Sequence, residues 1–213
     1  PMTVQHGDSQ RARVLINGIH ANTGGGVTYL RSLLPLIAQD ERLEVHLFIH
    51  RRQLASFIPL DEAIRVHAFD FTPSLWRLLL WEQIVLPVLG RAMAADVTFS
   101  PANFGPIFSR NSVIMLRNSL AVVQREVRFI KFLYWAGLAM ATGLSLLTSS
   151  RAIAVSNYAA AALSHGVPRS IRRKIEVVHH GVSPVFKPAG AAEERQRFLL
   201  VVADIYIQKN LHT

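Results

Sequence analysis

Compact apolar runs alternate along this chain with longer segments in which apolar residues recur every three or four positions. The first pattern is typical of strands buried on both faces, and the second of helices with one apolar face. The runs that predict strands cover residues 13–17, 44–50, 64–69, 96–100, 112–116, 151–155 and 174–178. The segments that predict helices cover residues 27–38, 74–94, 132–150 and 158–165. The alternation predicts an α/β fold, a Rossmann-like parallel sheet with helices on both faces.

A glycine-rich stretch joins the first predicted strand to the first predicted helix. Gly24, Gly25 and Gly26 stand directly before the helical pattern. The first N–H groups of a helix lack intrahelical partners and lie at the positive end of its dipole, so this position favours an anion. The spacing matches neither the dinucleotide-binding glycine motif nor a Walker A motif, and a tight turn without a ligand is the alternative. We favour a phosphate-binding or substrate-binding role for the three glycines.

Polar residues follow several of the predicted strands. Open α/β sheets place ligand contacts at the carboxyl ends of their strands. The residues that we assign to a substrate cleft on this ground are Asn22, Asn103, Arg117, Asn118, Ser156 and Asn157. Capping of the following helices is the alternative role for the asparagine and serine residues among them.

The end of the chain predicts a change of folding unit. Residues 175–188 pass from a short strand into a stretch punctuated by glycine and proline, with His180 and Gly181 at the expected hinge. A new apolar run begins at Phe198. We therefore expect a tail over residues 1–12, one domain over 13–178, a hinge over 179–197, and over 198–213 the first strand and turn of a second domain that is not present.

The composition favours anionic partners. The 213 residues carry 23 Lys and Arg against 14 Asp and Glu, a formal net charge of +9. Nucleotide phosphates and anionic lipid headgroups fit this balance. Nucleic acid is not expected, because the arginines are scattered and no nucleic-acid-binding motif is present. There are no cysteines, which fits a reducing compartment. The nine histidines form no metal-binding pattern, and we predict neither a metal nor a cofactor.

One apolar segment is nearly as long as a membrane span. Residues 132–150 carry no charge, but Gly137, Thr142 and Ser145 make a helix packed on the sheet the better interpretation. Aromatic and basic residues in two other stretches suggest contact with a membrane surface instead. These residues are Trp76, Arg77, Trp81, Arg91, Arg125, Arg128, Phe129 and Lys131. The alternative is that the aromatic residues belong to the core.

The last third of the chain resembles a family 4 glycosyltransferase of the GT-B fold. The resemblance rests on AIAVSNYAAAALSHGVP, KIEVVHHGVSPVFKP and FLLVVADIYIQKNL, and on the glycines after the first strand. It implies a retaining enzyme that transfers a sugar from a nucleotide sugar to a glycan or lipid-linked acceptor, in polysaccharide or glycolipid synthesis. The N-terminal domain of such enzymes holds the acceptor and the C-terminal domain the nucleotide. Lys209 matches a lysine that contacts the donor diphosphate, and the implied location is the cytoplasm, at the inner face of the membrane.

The chain departs from that family at three places. Asp204 stands about where many members have an arginine, and Arg117 with Asn118 replaces a His-Asp pair, so a general-base role is lost there. The carboxylate-bearing motif of the C-terminal domain lies beyond Thr213, so we predict no catalytic residue in the chain and no activity for this fragment alone. The alternative function is a stand-alone module, without catalysis, that binds anions or a membrane surface.

Overall fold

A seven-stranded parallel sheet forms the centre of the domain in this computed structural model, which describes residues 11–22, 24–117 and 129–182. The order of the strands across the sheet is β3-β2-β1-β4-β5-β6-β7, and every pair of neighbours is parallel. The strands are β1 Ala12–Asn17, β2 Leu43–His50, β3 Ile64–Phe69, β4 Val97–Ser100, β5 Ser112–Leu116, β6 Arg151–Ala154 and β7 Ile175–Val177. The α/β, Rossmann-like prediction is therefore confirmed, as are all seven predicted strands to within two residues at each end.

Helices connect most of the consecutive strands, and a loop without a helix joins β4 to β5. They are α1 Gly25–Ala38, α2 Leu54–Phe57, α3 Leu75–Leu80, α4 Leu86–Ala92, α5 Phe129–Thr148, α6 Asn157–Leu163 and α7 Arg169–Arg172. A 3₁₀ turn, Arg51–Gln53, precedes α2. The sequence patterns did not predict the short α2 and α7, because four residues are too few to show helical periodicity.

The chain reverses its direction across the sheet between β1 and β4. From β1 the strands run outward to β3 in one direction, and from β4 to β7 in the other. The chain therefore leaves β1 and β4 towards opposite sides of the sheet, and the crevice between these two strands at the carboxyl edge is where α/β proteins of this topology bind ligands.

Both faces of the sheet are covered by apolar residues. On one face, α1 buries Leu30 and Leu34 against strand residues such as Leu47 and Ile49. On the other face, Leu15 and Phe48 pack with Trp81 and Leu86. A third cluster joins α5 and α6 to β5 and β6. Successive residues of a central strand face opposite apolar layers, which explains why these strands are mostly apolar along their length.

The predicted helix over residues 74–94 is interrupted before Pro87. A π-helical turn, Trp81–Val85, separates α3 from α4, and the N–H of Leu86 bonds to the carbonyl of Trp81. Proline supplies no N–H to the ladder and crowds the carbonyl four residues earlier, so the wider turn accommodates it. The interruption directs Trp81 and Glu82 into the protein, where they are 4% and 2% exposed. Trp81 is thus a core residue, whereas Trp76 and Phe129 are 78% and 73% exposed.

The long apolar helix α5 packs on the domain through its C-terminal half. The buried side of this half contains Thr142, Ser145 and Leu146. Ser149, the residue after the end of the helix, is buried as well. Ser145 exchanges hydrogen bonds of 3.1 Å with the backbone of Gly105, which ties the helix to the loop after β4. Within residues 11–22, 24–117 and 129–182, no helix combines the length and apolarity that a membrane crossing needs.

A row of histidines lies across β2 and β3. His46 Nδ1 is 2.9 Å from His67 Nε2, and His46 Nε2 is 3.3 Å from Glu44 Oε1. Arg13 and Arg65 also pair with Glu44, at 2.8 and 2.6 Å. Burial lowers the pKa of His67, and the charges of His46 and Arg65 lower it further. The folded protein therefore holds His67 neutral more readily than the unfolded chain does.

This row predicts a loss of stability in mild acid. Because the pKa of His67 is lower in the folded state, its contribution is complete above the unfolded value of about 6.5 and is lost as the pH falls below it. We expect the urea midpoint to drop between about pH 7.5 and about pH 5.5, and to drop less in His67→Gln, which cannot titrate. Exposed His165 provides the control, His165→Gln. An equal drop in His67→Gln and wild type would refute the assignment.

The chain divides into two compact units, Pro1–His179 and His180–Thr213. The sheet and its helices belong to the first unit. Of the second unit the structure describes His180, Gly181 and Val182, all exposed.

Candidate anion-binding site

The loop after β1 leads directly into the N-terminus of α1 at the carboxyl edge of the sheet. Gly24 is the N-cap of α1 and has φ 57° and ψ −138°, a conformation that is open only to glycine. The side chain of Gln53 fixes the loop, because its Nε2 donates to the carbonyl oxygens of Gly18 and Ala21, both at 2.9 Å. The free N–H groups at the start of α1 are thus held on a rigid support.

The guanidinium of Arg117 lies against the glycine loop. A Cβ on Gly25 would be 3.2 Å from Arg117 Nη2. A Cβ on Gly26 would be 3.3 Å from the Cα of Ala21 and 3.6 Å from Arg117 Nη1. The consecutive glycines therefore let the cationic side chain of Arg117, the residue after β5, approach the first turn of α1 closely.

The backbone and side chain of Arg117 are both held by the loop after β4. Its N–H donates to Asn103 Oδ1 at 2.7 Å, and its Nη1 donates to the carbonyl oxygen of Pro101 at 3.1 Å. The side chain is half-buried, and burial lowers the pKa of Arg117. In the described part of the chain no carboxylate pairs with this guanidinium. A desolvated cation beside a helix N-terminus has the features of an anion-binding site.

Tyr29, near the start of α1, interacts electrostatically with Arg117. Burial raises the pKa of Tyr29, and the nearby positive charge of Arg117 opposes part of that rise. The phenol is therefore neutral at physiological pH, and it leaves the positive charge of Arg117 available to an external anion.

A second group of polar residues includes His20, which lies on the loop after β1. Asn17 Nδ2 donates to Glu82 Oε2 at 2.7 Å, and His20 Nε2 lies 2.8 Å from the same oxygen. Trp81 Nε1 lies 3.3 Å from Asn17 Oδ1. The ring of His20 makes an edge contact with Phe104, with 4.9 Å between the centroids. The loops after β1 and β4 thus meet at the crevice where the sheet reverses direction.

The structure brings together some of the predicted site residues. Gly24, Gly25, Gly26, Asn103 and Arg117 surround one position at the carboxyl edge, and Asn22 is exposed on the same loop. Ser156 caps α6, since its Oγ accepts a hydrogen bond from the N–H of Ala159 at 3.0 Å. Asn157 is exposed at the start of that helix. Asn118, Lys209, Arg125 and Arg128 lie outside the described residues, and so does the side chain of Lys131.

The sequence patterns did not single out His20, Gln53 or Glu82. One available signal was a glutamate in an otherwise apolar helical stretch shortly before a proline. Such a residue is seldom buried unless it is paired. Its partners Asn17 and His20 are more than sixty positions away, so only the folded sheet shows the group.

Comparison with known proteins supports the fold. No family model matches the chain, and neither does any curated protein. Among solved structures, HepE from Anabaena, crystallised in complex with UDP and glucose, is similar with a TM-score of 0.50 and 16% sequence identity. The match covers 82% of this chain and 48% of HepE. This chain therefore spans about half the length of that relative, with which it shares the α/β fold.

Proposed function

We propose that this chain is the acceptor-side half of a retaining glycosyltransferase that transfers a sugar from a nucleotide sugar to a glycan or lipid-linked acceptor. The single observation that carries the proposal is the half-buried guanidinium of Arg117 against the first turn of α1, at the crevice between β1 and β4. The UDP and glucose bound to a protein of the same fold agree with it, as does the family resemblance of the sequence.

The chemistry of sugar transfer explains why such a site is useful. The sugar–phosphate bond breaks as the diphosphate leaves, and negative charge develops on the phosphate oxygens. Arg117 supplies a fixed positive charge, and the N–H groups at the start of α1 supply hydrogen-bond donors. Both are positioned before the substrate binds, because Gln53 and the Pro101 carbonyl hold them in place. The site would therefore stabilise the leaving group without a reorganisation cost.

We further propose that a donor domain of about 150 residues completes the enzyme. The family resemblance assigns Lys209 to the diphosphate and His180 with Gly181 to the hinge before that domain. Catalytic carboxylates would then come from the donor domain. The enzyme would act in the cytoplasm, on acceptors used in polysaccharide or glycolipid synthesis.

Calorimetric titration of the 213-residue chain with a panel of nucleotide sugars tests this division of roles. Without the donor half, we expect dissociation constants of roughly millimolar or weaker, and no sugar transfer. A micromolar constant would show that the chain holds a complete donor site, and would contradict its assignment as the acceptor half.

A second candidate function is contact with an anionic membrane surface. Trp76, Leu80, Ile84 and Val88 recur every fourth residue along α3, the π-helical turn and α4, and we call them the apolar stripe. Their exposed fractions are 78%, 52%, 54% and 53%. Arg77 and Arg91 are exposed on the same segment. Apolar side chains next to arginines suit the boundary between acyl chains and anionic headgroups. This surface could serve the enzyme with lipid-linked acceptors, or act in a stand-alone module.

Vesicle co-sedimentation tests the apolar stripe. Each arginine near an anionic membrane surface contributes about 1 kcal/mol to the free energy of binding. Salt screens this attraction. We expect binding to vesicles with phosphatidylserine but not to neutral vesicles. Binding should fall in Arg77→Glu with Arg91→Glu, and also in Trp76→Ser. Leu36→Ser is the matched control, because Leu36 is 67% exposed on α1. Equal binding to both kinds of vesicle, or equal loss in the control, would exclude this function.

A further inference from the structure

We infer that His20, held by Glu82, binds a hydroxyl group of the sugar acceptor. This inference rests on the proposed function and names the part of the site that receives the acceptor. It also accounts for a buried carboxylate that the anion site does not use.

The hydrogen bonds determine which atom of His20 is free. Trp81 Nε1 can only donate, so the atom of Asn17 that faces it at 3.3 Å is the oxygen. The amide nitrogen of Asn17 therefore faces Glu82 and donates to Oε2. An oxygen that already accepts from Asn17 is an acceptor for His20 too, so the proton of the ring lies on Nε2. In neutral His20 the lone pair is then on Nδ1, for which no partner occurs among residues 11–22, 24–117 and 129–182.

The burial of Glu82 indicates a purpose other than stability. The side chain is 2% exposed, and its Oε1 has no hydrogen-bond partner within the described residues. A buried carboxylate with one unpaired oxygen lowers stability relative to an apolar residue of similar size. A buried polar atom without a partner is rare in folded proteins, and a functional role is one explanation for it. Here the visible effect of Glu82 is to hold the His20 ring and direct its Nδ1.

The position of His20 suits an acceptor next to a donor phosphate. Its side chain is 22% exposed, so the ring is reachable from solvent. The next residue, Ala21, packs against Gly26 on the loop that Arg117 covers. Phe104 adds an apolar wall at 4.9 Å from the ring. One hydrogen-bond acceptor beside an aromatic surface matches the hydroxyl groups and the apolar face of a sugar ring.

The crevice thus contains two neighbouring subsites, one for the anion and one for the acceptor. Arg117 with the start of α1 takes the anion, and His20 accepts a hydrogen bond from one acceptor hydroxyl. Glu82 is a positioning residue that acts through His20. No proton transfer is assigned to His20, whose role is to accept one hydrogen bond.

Nitrogen NMR of the 213-residue chain tests the inference without any enzymatic turnover. The probes are the methyl glycosides of glucose, galactose and mannose. We expect the Nδ1 signal of His20 to shift with at least one glycoside, while exposed His165 stays unchanged. Glu82→Met should lose the single ring tautomer and weaken binding by about threefold to tenfold, as expected for one lost hydrogen bond. Glu82→Gln keeps an acceptor oxygen and should restore both. No shift at His20, or the same shift at His165, would overturn the inference.

A kinetic experiment separates this inference from the proposed function. In the longer protein, His20→Phe should raise the KM for the glycoside acceptor that shifts His20, with little change in the hydrolysis of the nucleotide sugar by water. His20→Gln is the second variant if the first fails to fold. Equal loss of transfer and hydrolysis would place His20 on the donor side and overturn the inference. Absence of any nucleotide-sugar turnover in the wild type would reject the proposed function, and the NMR result would still decide the role of His20.

Discussion

Replacement of Arg117 by alanine is expected to lower sugar transfer by about two to three orders of magnitude, the usual cost of losing one fixed group that stabilises developing charge. The assay uses a longer protein in which the proposed donor half accompanies this domain. Arg117 touches the glycine loop and is half-buried, so its charge is poorly screened by water. We expect Arg117→Lys to be intermediate, because a lysine keeps the charge and loses the fork of donors.

Exposed Arg110 provides the matched control for this prediction. It is a neighbouring arginine on the loop before β5, and Arg110→Ala removes the same charge without touching the loop after β1. We expect Arg110→Ala to transfer at the wild-type rate. If Arg117→Ala also transferred at the wild-type rate, the guanidinium would not contact the leaving group.

Replacement of Gly24 by alanine is expected to reduce both stability and activity. A Cβ at Gly24 would meet no atom within 4 Å, so the cost arises from the backbone alone. Its dihedral angles of 57° and −138° are unfavourable for alanine by about 1–3 kcal/mol. Relief of this strain would rotate the first N–H groups of α1 away from the anion. Transfer should therefore fall by more than the loss of folded protein explains.

Gly166→Ala separates the two effects. Gly166 also has a positive φ, 75°, and open space around its Cα, but it follows α6 rather than the glycine loop. We expect Gly166→Ala to shift the urea midpoint with little effect on transfer by the folded protein. A Gly24→Ala variant with normal transfer, or a Gly166→Ala variant with an equal defect, would contradict the assigned role of the loop.

The sequence carried enough information to predict the sheet because its central strands are largely buried. Most of the strands are short runs rich in apolar and β-branched residues, bounded by glycine, proline or polar residues, and such runs identify a strand without tertiary information. The order of the strands was not predictable to the same degree. The reversal between β1 and β4 depends on which loops cross which face, and no local pattern encodes it.

The anion-binding site could be predicted from the sequence in large part, whereas the pair of His20 and Glu82 could not. Glycines before a helix are a local signal, and they led to Gly24, Gly25 and Gly26. Arg117 was found from its position after a strand. The pairing of His20 with Glu82 depends on a π-helical turn that directs Glu82 inward, and periodicity alone placed this residue on a helix with no indication of burial. Gln53 lies in a 3₁₀ turn that has no periodicity to recognise.

Transfer by the longer protein from a panel of nucleotide sugars, with product configuration read by proton NMR, tests the central claim most directly. We predict transfer from at least one nucleotide sugar with retention at the anomeric carbon, and a rate that falls about a hundredfold or more in Arg117→Ala and stays unchanged in Arg110→Ala. Absence of transfer from every nucleotide sugar, or transfer that does not depend on Arg117, would contradict the assignment of this domain to a glycosyltransferase.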